Sequence, residues 1–184
     1  MDKQSKKILG LFARYISLIL LGLGNLYIIY AVLIPLTIST LNIIISFFTK
    51  PLITENIIHV GAIGIEIIPA CVAGSAFYLL LILILSTADT KPETRTRAVI
   101  TAIVTLFILN IIRILILIPM AGSVHFETAH WIFWHIISTI FVVVIWIGVV
   151  KIYKIKSIPI YSDIKYIKTL VKPVKNTERN KKNK

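Results

Sequence analysis

Apolar residues come in long blocks in this chain, and the short stretches between them hold nearly all the charge. The first block runs from about Tyr15 to Ile34 and stops at Pro35, a residue that interrupts helices. Further blocks cover about 69–86, 98–119 and 130–150. Each approaches the roughly 20 residues that an α-helix needs to cross a bilayer core. The pattern predicts an all-α polytopic membrane protein of about four transmembrane helices, forming one membrane-embedded domain over residues 1–150.

Two stretches depart from it. Residues 36–48 are apolar but short, and Thr37, Ser39, Thr40, Asn42 and Ser46 interrupt them, which predicts a helix lying in the interface. Residues 52–68 are dense in β-branched side chains. Gly61 and Gly64 there punctuate two runs, Ile53–Val60 and Ile65–Ile68. That predicts a short hairpin or extended segment outside the bilayer.

Composition strengthens the membrane reading, since 57% of the 184 residues are hydrophobic and the mean hydropathy is +0.89. A net charge of +12 would suit nucleic acid, but its placement points elsewhere, and no nucleic-acid partner is expected. Lys3, Lys6, Lys7 and Arg14 precede the first block, and Lys91, Arg95 and Arg97 lie between the second and third. Eleven of the 20 Lys and Arg residues follow position 150, whereas the alternate connections carry only Lys50. The positive-inside bias then puts both termini and the 87–97 connection in the cytoplasm of a plasma-membrane protein, with 49–70 and 120–129 outside. The leader lacks a small-residue cleavage site before its apolar run and is expected to stay as an anchor. Residues 151–184 read as a basic cytoplasmic tail, in which Tyr153, Tyr161 and Tyr166 could touch the membrane surface. A single cysteine excludes an intramolecular disulfide.

With this topology three side chains reach one depth near the outer face: Cys71, Arg113 and His130. An arginine within a span costs about 2.5–3.5 kcal/mol to insert, so Arg113 is expected to face the bundle interior. Asn110, three residues earlier, lies on the same face and could orient the guanidinium. Pro69 suits the first turn of a helix, which would put Cys71 over free backbone N–H groups that favour a thiolate. His130, capped by Glu127 or Thr128, could serve as a general base, with His135 as a rival one turn deeper. No histidine pair has HxxxH or HExxH spacing, so neither a metal nor a cofactor is expected.

PACVAGSA (69–76), NIIR (110–113) and AHWIFWH (129–135) together resemble the exosortase/archaeosortase family over roughly residues 50–150. Ala73 followed by Gly74 favours the archaeosortase branch. The resemblance implies a membrane cysteine transpeptidase with Cys71 as nucleophile, Arg113 as essential cation and His130 as base. Its partners would be membrane-anchored proteins with C-terminal sorting signals, and its acceptor a lipid amine or water. The rival from another class is a small transport component that binds an anionic solute through Arg113 and Asn110.

Overall fold

The computed structural model describes residues 3–61, 63–87 and 90–155, so the expected basic tail lies almost wholly outside the described residues. Helix α1 spans Lys3–Gly22 and α2 spans Tyr27–Ser46. Three strands follow, β1 (Leu52–Thr54), β2 (Ile57–Val60) and β3 (Ile63–Glu66), and then α3 (Gly74–Leu85). Helix α4 (Pro92–Leu117) is prolonged by one tighter turn to Met120. Helix α5 (Phe126–Ile132) passes through a π-helical turn, Phe133–Ile137, into α6 (Ser138–Ile152).

Among the described residues, three helical stretches are long and apolar enough to cross a membrane: Tyr27–Ser46, Pro92–Met120 and Phe126–Ile152. The last two contain the expected spans 98–119 and 130–150. The first two blocks need correction. Residues 15–34 are not one helix, because Gly24, Asn25 and Leu26 adopt successive left-handed conformations with φ of 64, 54 and 61°. Gly and Asn enter that region at low cost, so the pair ends α1 although the apolar run continues through it. Pro35, expected to stop the helix, lies inside α2. Residues 36–48 accordingly form no separate interfacial helix. Residues 36–46 form the second half of α2, where Thr37 and Leu41 are completely buried, and Phe47 and Phe48 turn out of it.

The block 69–86 is helical only over the 12 residues of α3, about 18 Å of helix and too short to cross unaided. Residues 69–73 form turns instead. Ala73 caps α3 in a left-handed conformation at φ 53°, so the helix cannot extend back to Pro69.

Helix α4 organises the interior. Ala98, Ala102, Leu106, Asn110, Arg113 and Leu117 are buried along one face. Ile100, Val104, Ile108, Ile112 and Ile116 repeat every fourth residue along the exposed face, the stripe expected to meet lipid. The buried alanines let neighbouring helices approach closely. In the N-terminal half of α4, Thr101 Oγ1 lies 2.8 Å from the Tyr153 hydroxyl just beyond α6, so that half and the C-terminal end of α6 share one side of the molecule.

Helix α1 packs along α3. Arg14 Nη1 donates to the carbonyls of Leu85 (3.0 Å) and Thr87 (3.2 Å), and Arg95 Nη2 donates to the same Thr87 carbonyl at 2.8 Å. Further along, the Tyr78 hydroxyl donates to Leu18 O, and the Tyr30 ring covers Gly74. These contacts climb α3 in one direction, so up to Tyr30 the break redirects the chain without reversing it.

The predicted extended segment is an antiparallel sheet in the order β1-β2-β3. A two-residue turn joins β1 to β2, and Glu55 takes a positive φ of 55° there. Ile58 and Ile67 anchor the sheet on the helices, each 1% exposed.

Candidate functional site

The turn before α3 carries the thiol. Cys71 N–H donates to Ile68 O at 2.9 Å, and Cys71 precedes the first residue of α3 by three positions. It is therefore not seated over the free amides of a helix N-terminus, contrary to the expectation from Pro69. Burial pushes the thiol above its ordinary value. The Ile68 backbone contact and the Arg113 charge pull it down, while Glu66 adds to the rise. The resting group is thus a protonated thiol. Its Sγ lies 3.9 Å from the Glu66 carbonyl, within reach of a weak S–H hydrogen bond.

The turn is fastened from α4. Asn110 Nδ2 donates to the Cys71 carbonyl at 3.1 Å, and Arg113 Nη2 donates to the same oxygen at 2.7 Å and to Ala70 O at 3.3 Å. Asn110 and Arg113 thus act together through a shared acceptor, not by Asn110 bonding the guanidinium. Both are almost completely buried, at 2% and 3% exposure. Arg113 Nη1 donates to Ser138 Oγ at 2.8 Å, and Ser138 Oγ donates to Phe133 O at 3.0 Å. Arg113 Nε is buried with no hydrogen-bond partner among the described residues.

Ser138 is the member that sequence reasoning passed over. It follows directly on the π-helical turn, and the Phe133 carbonyl accepts both its backbone N–H and its hydroxyl. The available signal was a lone serine in an apolar run, at the same depth as Arg113.

His130 is the fifth residue of α5, not its first. The helix is capped at His125, and Glu127 and Thr128 lie inside it, so neither caps the span as expected. The His130 ring stacks on Phe126 with centroids 5.8 Å apart and planes 6° from parallel. His135 is exposed, contacts Trp131 O through Nδ1 at 3.1 Å and packs against Trp131 and Trp134.

Cys71, Arg113 and His130 line one cavity of about 350 Å³, between β3 on one side and the C-terminal end of α4 with α5 on the other. Its remaining wall is mostly apolar, with Leu117, Ile118 and Phe126 facing the isoleucines of β3. His135 is absent from the lining. No hydrogen bond joins His130 to Cys71 or Arg113 among the described residues, so the three share a chamber without forming a linked triad.

Compared with known proteins, the chain matches no family model, no curated protein and no solved structure. Its function is therefore argued from the chamber itself.

Proposed function

We propose that the chain is an archaeosortase-like membrane cysteine transpeptidase, cleaving C-terminal sorting signals of secreted proteins at the outer membrane face. The observation that carries this reading is the chamber, in which one thiol, one buried guanidinium and one imidazole come from separate elements to a common space. Both termini would be cytoplasmic and the chamber extracytoplasmic.

The chemistry follows from the groups. His130 takes the Cys71 proton as a substrate carbonyl approaches, since the resting thiol is protonated and needs a base. The S–C bond forms, and Arg113 stabilises the oxyanion through Nε–H, a donor not committed to another group. His130 returns the proton to the leaving amine as the C–N bond breaks, which leaves a thioester. A lipid amine or water then attacks the thioester, giving its proton to His130, and the thiol is restored. Anion transport is the weaker reading, because Arg113 and Asn110 already direct donors at backbone carbonyls.

C-terminal peptide mapping of the host's membrane proteins tests the proposal, comparing wild-type chain with Cys71→Ala. Proteins with a hydrophobic, basic-ended tail should keep it only in the variant. Identical tails in both, with the variant stably inserted, would exclude the peptidase.

A further inference from the structure

Strand β3 is an edge. The sheet order β1-β2-β3 leaves its far side without a strand partner among the described residues, and that side borders the chamber. The register shows which backbone groups are open. Ile67 N–H bonds Asn56 O at 2.8 Å, one step beyond the pair Ile57↔Glu66. Bonded and non-bonded pairs alternate in an antiparallel ladder, so Ile63, Ile65 and Ile67 direct their backbone groups to β2. Gly64 and Glu66 direct theirs away. The contact of Cys71 Sγ with Glu66 O agrees, because it puts that outward carbonyl beside the thiol.

The chamber thus has one wall of spaced main-chain donors and acceptors and a facing wall of apolar side chains from α4 and α5. An alkyl chain would satisfy the second wall and leave the first unpaired. A helical segment has no main-chain groups to offer. An extended peptide with small or apolar side chains satisfies both. Charge narrows the choice: Glu66 is the acidic residue on the lining and Arg113 already bonds three oxygens, so a carboxylate opposite Glu66 is disfavoured.

We propose that the open edge of β3 is the substrate subsite. An extended peptide segment adds there as a fourth strand, bonds the main chain of Gly64 and Glu66, and brings its scissile carbonyl to Cys71. The proposal rests on the peptidase reading of the chamber and supplies its recognition step.

The test uses the full chain in detergent and capped Ala-Val-Ala-Val chloromethyl ketones as probes, with iodoacetamide as a non-peptide reference for Cys71 alkylation. Two further peptides carry N-methyl groups on one or the other alternate set of residues. One methylated peptide should lose about tenfold in rate relative to the parent while the other loses little, the two-residue period of strand pairing. Glu66→Pro, tolerable at an edge because the lost N–H faces outward, should remove the same advantage, read as the ratio of the peptide rate to the iodoacetamide rate of that same variant. Glu66→Gln should keep the ratio of the two rates. Equal rates for the two methylated peptides overturn the subsite. That comparison needs no variant, so it decides even where Glu66→Pro fails to fold. Tail mapping with Cys71→Ala reports separately on the nucleophile, so failure of the subsite and failure of the peptidase are distinguishable.

Discussion

Arg113 shows how a costly residue is retained. Its two terminal nitrogens reach the oxygens of Ala70, Cys71 and Ser138, a spread that a planar fork covers and a lysine ammonium does not. That the arginine would face inward was readable, because a cation inside an apolar run has few alternatives. Its partners were not, since two are main-chain carbonyls of a turn that lies inside an apolar block predicted to be helical. The same turn sets the behaviour of the thiol. Burial holds Cys71 protonated at neutral pH, so its alkylation should climb about tenfold per pH unit past pH 8.5 without levelling. Arg113→Gln removes the charge that pulls the thiol down. The rise should then shift to higher pH, and alkylation at pH 7 should slow. Iodoacetamide kinetics across pH 6–10 measure both effects. A plateau below about 8.5 would contradict the buried thiol.

Among the elements, the long helices were the easiest to anticipate and the breaks the hardest. Hydropathy follows side chains, whereas the left-handed run at Gly24–Leu26 and the cap at Ala73 are backbone events within uninterrupted apolar sequence. Both change what the neighbouring helices can do. Ending α1 at Gly22 lets α2 present Tyr30 to α3, and starting α3 at Gly74 leaves room for that ring. A Cβ at Gly74 would overlap the Tyr30 ring. Gly74→Ala should therefore destabilise by about 1–3 kcal/mol, although alanine is the better helix former. Tyr30→Val should restore much of the loss. Thermal unfolding of the single and double variants in detergent measures this, and a Gly74→Ala chain as stable as the parent would show that the contact is loose.

The molecule as a whole is polarised. Arg14 and Arg95 meet at Thr87, and the Thr101–Tyr153 bond brings the basic end of α6 to the same side. The chamber and the sheet occupy the other end. Charge bias along the sequence grouped these basic residues on one side without any knowledge of contacts, whereas helix count depends on backbone breaks that it does not register. In a Cys71→Ala background, Ser123→Cys should react with an impermeant maleimide on intact cells. Glu93→Cys should react only after permeabilisation. The opposite pattern would invert the proposed topology. The sheet was legible as extended chain, but its open edge depends on register, which β-branched composition alone does not specify.

The guanidinium of Arg14 has a consequence for synthesis. Its acceptors, the carbonyls of Leu85 and Thr87, lie 71 and 73 residues later in the chain. When α1 leaves the ribosome, the carbonyls that accept from Arg14 have yet to be made. The Arg14 contacts therefore close only after α3 and the residues that follow it have been made. Assembly here closes backwards, with α1 fastened by an element made after it.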